Sequence, residues 1–197
     1  MSLPSRTVVA SVGLLWAVAG CAQAPRAPAA ALEVPTRSLA AAEQQPLRAL
    51  VVELLDRRGD AAPVMEAGEA AVVILEQVLN SPAETQTRRS RAVEVLGMMR
   101  VPVAEARLRA LVQAEGTAGF LRGAAAVALA HRAGAKALTE IAALLEDPSA
   151  EVRLGSARAL VVISNPEARA ALEKRLSREP DPPVREAMQH HLTRMNP

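Results

Sequence analysis

Few residues of this 197-residue chain are equipped for chemistry. It holds one cysteine, Cys21, so no intrachain disulfide can form. Its three histidines are His131, His190 and His191. Adjacent residues point about 100° apart on a helix, so His190 and His191 cannot chelate one ion together. Zinc needs three or four converging ligands, and no metal site is expected. A nucleophile elbow, a phosphate loop and a His-Glu-x-x-His pair are all absent, so no catalytic residue is nominated and no cofactor is expected. Arginine is what recurs. Arg89, Arg122, Arg153 and Arg185 are spaced by 33, 31 and 32 residues, and seven residues after each stands Leu96, Leu129, Leu160 or Leu192.

Composition narrows the function further. Lys and Arg total 23 against 21 Asp and Glu, a net charge of +2. That near-balance argues against a dedicated nucleic-acid binder, which carries a clustered basic excess. Trp16 and Phe120 are the whole aromatic complement, so stacking platforms for bases or sugars are missing. Alanine fills 42 positions while strand-forming aromatics are scarce, which favours closely packed helices over sheets.

The N-terminus reads as an address. Arg6 precedes an apolar run over residues 7–18, which is too short for a comfortable membrane span of about 20 residues. Small residues follow, Ala19 and Gly20, as in a secretory signal. The ending Val18-Ala19-Gly20-Cys21 resembles the lipobox of bacterial lipoproteins. The resemblance implies cleavage before Cys21, acylation of its thiol and new amino group, and anchoring in a lipid bilayer. Several acyl chains make a durable anchor where one does not. Ala22, a non-acidic residue, implies delivery to the outer membrane, facing the periplasm. Residues 1–20 are thus expected to be removed. Residues 21–37, rich in Pro and Ala, read as a spacer. Loss of Arg6 leaves a net charge of +1, too little for a polybasic membrane patch.

The remainder, residues 38–197, repeats. A period of 20–50 residues signals a solenoid. Around the third arginine, Val152, Gly155, Ser156, Ala159, Leu160 and Ile163 fall at steps of three and four, one stripe of a helix. Small residues in that stripe let helix axes approach. Each such helix is preceded by another: Val72–Leu79, Val103–Val112, Leu138–Leu145 and Ala168–Leu176. Turns such as Asp147-Pro148-Ser149 and Asp181-Pro182-Pro183 separate the two helices of a pair, and Asn165-Pro166 opens the last pair. Asp or Asn before Pro suits a helix start, because the side chain caps free N–H groups and Pro tolerates the first position. Leu47, Leu50, Val51, Leu54 and Leu55 predict an extra N-terminal capping helix within Ser38–Arg58, and Glu66–Leu79 is expected as the first helix of the first pair. The predicted fold is all-α, an α-solenoid of about four antiparallel pairs.

The stretch Leu144-Leu145-Glu146-Asp147-Pro148-Ser149-Ala150-Glu151-Val152-Arg153, continued by Ala157-Arg158-Ala159-Leu160, resembles HEAT repeats of the short, phycobilisome-lyase type. The resemblance spans about Gly68–Met195. It departs in the first block, where Arg88 stands in place of the aliphatic residue before Arg89. It implies no bilin chemistry, since nothing marks a bilin site. It does imply that Asp147, Arg122, Arg153 and Arg185 form a structural ladder linking successive repeats. It also implies that the second helices line a concave, partner-binding side.

Stacked pairs expose an extended surface, which suits binding more than catalysis. Arg91, Arg132, Arg158 and Glu186 are the candidate partner surface, and their mixed charge points to a protein. The expected role is an envelope scaffold or adaptor with an unknown envelope protein as partner and no evident small-molecule substrate. An enzyme or accessory factor with a cryptic site remains the alternative. A closed pocket with convergent Glu, His and Ser would favour it, and an open groove would favour the scaffold. A structural spacer with neither pocket nor groove is the third reading.

Overall fold

A computed structural model describes residues 41–57 and 59–195. The expected leader (1–20), Cys21 and the spacer (21–37) lie outside the described residues. Within them the chain is all-helical, with no strand. The helices are α1 (Ala41–Arg57), α2 (Ala62–Glu66), α3 (Glu69–Asn80), α4 (Gln86–Met98), α5 (Pro102–Gln113), α6 (Gly119–Ala133), α7 (Leu138–Ala143), α8 (Ala150–Ile163), α9 (Pro166–Leu176) and α10 (Pro182–Arg194). Short 3₁₀ turns, Gly134–Ala137 and Leu144–Glu146, flank α7. The pairs are α3–α4, α5–α6, α7–α8 and α9–α10. The second helices pack on one another in succession, α4 on α6, α6 on α8 and α8 on α10, which is the arrangement of an α-solenoid.

One apolar core runs the length of the stack. Leu75, Leu96, Leu108, Leu129, Ile141, Leu160, Leu172 and Met188 are fully buried within it. Three of the four repeat leucines are therefore core, while Leu192 is only partly covered. Such burial is worth about 1.5–3 kcal/mol for each large side chain. No pair can bury its stripe alone, so the core exists only because the pairs are stacked.

The small residues set how closely the second helices approach. A Cβ on Gly155 would stand 2.7 Å from the carbonyl carbon of Gly123, and one on Gly123 would meet the Glu151 carbonyl oxygen at 2.9 Å. The crossing of α6 and α8 is thus backbone against backbone. Between α4 and α6, Gly97 plays this part against the Ala128 methyl, 2.9 Å from where its Cβ would lie.

The capping expectations divide. Asn165 accepts from the Ala168 N–H at 2.8 Å and Asp181 from the Val184 N–H at 3.2 Å, each with Pro next in the chain. Asp147 does not cap α8, which begins at Ala150. Its Oδ1 takes the Ser149 N–H at 2.9 Å and its Oδ2 is held by Arg122. Helix α3 begins later than expected, at Glu69 instead of Glu66. Gly68 has φ +56 and ψ −126, a conformation that breaks the helix and leaves α2 as a separate turn. Leu138–Leu145, expected as one helix, ends as α7 and a 3₁₀ turn. In α1, Val51, Leu54 and Leu55 are buried against the stack while Leu50 is exposed.

Candidate functional site

The repeat arginines sit at the starts of the second helices. Arg122 Nη1 lies 2.8 Å from Asp147 Oδ2, both side chains nearly buried, and its Nε donates to the Val112 carbonyl at 3.2 Å. Arg153 forks onto Glu179, Nε to Oε2 at 2.9 Å and Nη2 to Oε1 at 2.7 Å. Its Nη1 also donates to the carbonyls of Asp147 and Pro148, both at 3.0 Å. Arg185 Nη1 donates to the Glu179 carbonyl at 2.8 Å. Each of Asp147 and Glu179 stands six residues before an arginine of its own repeat and binds the arginine of the repeat before. Glu179 lies outside the apolar stripes and the Asp-Pro turns, so periodicity alone does not single it out. The six-residue offset from Arg185, matched to that of Asp147 from Arg153, is the signal that finds it. At the same offset from Arg122 stands Gly116, which has no carboxylate. Arg89 accordingly lies over the Phe120 ring instead, 5.4 Å from its centroid.

Glu179 is fully buried, which alone would raise its carboxyl. The bonds from Arg153, the Asp181 N–H and Arg175 together outweigh burial and hold it at about 2. Arg88, the departure in the first block, is accounted for by charge. It forks onto Asp56 at 2.8 Å and reaches Glu84 at 2.6 Å, joining α4 to the end of α1.

The first-helix layer carries its own ion pairs from repeat to repeat. Arg107 of α5 pairs with Glu76 of α3, and Arg109 of α5 with Glu140 of α7. Arg175 of α9 reaches Glu146 at 3.1 Å, and Arg178 reaches it at 2.5 Å. Apart from Arg178 with Glu146 these pairs involve partly buried side chains, and they leave these charges engaged within the molecule.

The second-helix layer is different. A groove of about 700 Å³ crosses α4, α6 and α8. Its floor is small and apolar, with Gly97, Gly123, Ala124, Val127 and Ala128. Met98, Phe120 and Leu154 add larger apolar surface, and Met98 is 58% exposed. Glu94, Glu151 and Arg158 stand at its margins, all exposed and without a hydrogen bond or ion pair among the described residues. Register explains the placement. Five residues after the repeat arginines come Glu94, Val127 and Arg158, so the row changes sign as it crosses the three helices.

Of the four residues expected on the partner surface, Arg158 alone lines this groove. Arg91 is turned to the end of α1, where it donates to the carbonyls of Leu55 at 2.5 Å and Asp56 at 2.9 Å. Arg132 donates to the carbonyls of Met99 and, at 3.0 Å, Val101, and meets Glu105 at 3.3 Å. Both bond backbone carbonyls near helix ends and are engaged within the molecule. Glu186 is exposed on α10, outside the groove lining. Glu151 stands two turns before Arg158 on one face of α8, whereas Glu94 is found only by alignment on the repeat arginines, which brings it into the row of Arg158.

The histidines do not converge. His131 is exposed at the groove and His190 is exposed on α10. His191 has both ring nitrogens buried without a partner. Burial, then the charges of Arg158, His190 and Arg194, pushes its imidazole down toward the neutral form. Ser90, Glu94 and His131 all line the groove, yet no hydrogen bond joins them. Among the described residues no group of His, Cys, Asp or Glu could hold a metal ion, and no helix is long and apolar enough to cross a membrane.

Fold and surface together define an α-solenoid of stacked helix pairs with a groove on its second-helix layer. Residues 118–193, from α6 through α10, match the family described as HEAT repeats, which supports a HEAT-repeat protein. No curated protein and no solved structure matches the chain.

Proposed function

We propose that this protein is a HEAT-repeat scaffold or adaptor that binds a protein partner through the groove across α4, α6 and α8. One observation carries the reading. Arg107, Arg109 and Arg175 of the first helices are paired with carboxylates of neighbouring repeats, whereas the groove presents an apolar floor edged by the unpaired charges Glu94, Glu151 and Arg158. Apolar surface rimmed by polar groups is what protein interfaces bury. HEAT repeats commonly serve as non-catalytic interaction scaffolds, and the match over residues 118–193 agrees with that use.

The ending Val18-Ala19-Gly20-Cys21 supports a second part of the proposal. Cys21 carries acyl chains that tether the solenoid to the outer membrane, facing the periplasm, and the partner is an envelope protein. Labelling with a radioactive fatty acid tests the anchor: wild type takes up label and fractionates with membranes, and Cys21→Ser does neither. Equal labelling of both proteins would refute it. Leu154→Arg tests the groove, since it places a charge on the floor and is expected to abolish partner binding. Undiminished binding would move the interface elsewhere.

A further inference from the structure

We propose that the groove takes an extended peptide with a cation and a carboxylate five or six residues apart and small apolar residues between them. This rests on the interaction-face reading above and names the chemistry of its ligand. Glu94 and Arg158 occupy one register row, on α4 and α8, with half-buried Val127 of α6 between them. Both charged groups are exposed, and neither has a partner among the described residues. Packed helices lie 8–10 Å apart, so two successive spacings put them roughly 16–20 Å apart. An extended chain advances about 3.3 Å per residue and covers that distance in five or six residues.

The floor favours the same form of ligand. Gly97, Gly123, Ala124 and Ala128 raise no bulk from the floor, so a ligand backbone can lie close to it. Small side chains on the ligand fit over Val127, and Met98 at one margin is left exposed for contact. The charges also exclude other ligands. Glu94 and Glu151 would repel the phosphates of nucleic acid or of anionic lipid, and the one groove aromatic, Phe120, already carries Arg89 on its ring.

Fluorescence polarisation with the full chain and labelled synthetic peptides tests the proposal. One peptide carries lysine and glutamate separated by about five alanine and valine residues. A second carries two lysines, a third two glutamates, and a fourth has the opposite charges only about two residues apart. The first is expected to bind about 5-fold or more tighter than the others, since each exposed ion pair supplies about 1.5- to 5-fold and like charges oppose binding. Arg158→Glu should transfer preference to the two-lysine peptide, and Glu94→Lys to the two-glutamate peptide. Both positions are exposed, so neither change threatens the fold. Equal affinities for the first three peptides, all abolished by Leu154→Arg, would overturn the charge order while leaving the groove as the interaction face. Failure of every peptide to bind would overturn both.

Discussion

Replacing Gly155 by alanine sets two effects of opposite sign against each other. In a helix interior, alanine is about 0.8–1 kcal/mol more favourable than glycine. Were α8 an isolated helix, Gly155→Ala would stabilise it. In the stack the new methyl would lie 2.7 Å from both the carbonyl carbon and oxygen of Gly123. Carbon atoms in optimal contact sit about 3.5–4.0 Å apart. The obstacle is backbone, so no rotamer change relieves it, and α6 and α8 must separate. Overpacking of this kind costs typically 1–3 kcal/mol, occasionally more. Separation would also loosen the neighbouring contact of Gly123 with Glu151. A clash with backbone that no rotamer relieves belongs at the top of that range, so after the helix gain is subtracted the net expectation is a loss of about 2 kcal/mol, or a Tm lower by roughly 4–8 °C for a chain of this size. Urea and thermal unfolding, followed by helical circular dichroism, measure it. Gly116→Ala is the control, because a Cβ there meets nothing within 4 Å, and its stability should be unchanged or slightly higher. A Gly155→Ala protein as stable as wild type, or more so, would refute the close helix crossing.

Arg153→Met should cost about 1.5–3 kcal/mol in urea unfolding, since it removes the fork onto buried Glu179 and leaves that carboxylate only Arg175 and the Asp181 N–H; a loss under about 1 kcal/mol would contradict that pairing. Glu179 links stability to pH: its folded value of about 2 lies below its ordinary 4.5, so it stabilises fully above about pH 4.5 and loses that contribution as pH falls toward 2. The shift is worth at most about 3 kcal/mol, and Glu179→Gln should flatten this acid limb of the stability profile; an unchanged limb would assign it to other groups. Leu160→Ala, at a fully buried position, should cost about 2–5 kcal/mol, and a surface-like effect would break the register. Ser164, which ends α8 with φ +47, should be improved by glycine by up to about 1 kcal/mol; a loss would mean its side chain contributes there.

The helices were legible because their stripes are periodic and their arginines recur. Leu96, Leu129 and Leu160 lie in the core the spacing implied, and the small residues do allow the close approach of α6 and α8. The break at Gly68 and the 3₁₀ turns around α7 were not legible, since single backbone angles leave no periodic trace. The site was harder to read. Charge and helix position made Arg91 and Arg132 look available, yet both reach carbonyls more than thirty residues away along the chain. Long side chains that fold back onto helix ends are invisible to a reading of one helix at a time. Glu94 and Glu179 become meaningful only when the repeats are laid side by side.

The central claim is that the second-helix groove, not the first-helix layer, meets the partner. Site-specific photo-crosslinking in intact envelopes tests it directly, with a photoreactive residue at Leu154 in the groove and, separately, at exposed Ala143 on α7. The account predicts a discrete crosslinked protein from Leu154, lost when Glu94→Lys and Arg158→Glu are combined with the probe, and none from Ala143. Crosslinks from Ala143 alone, or from neither position, would contradict it.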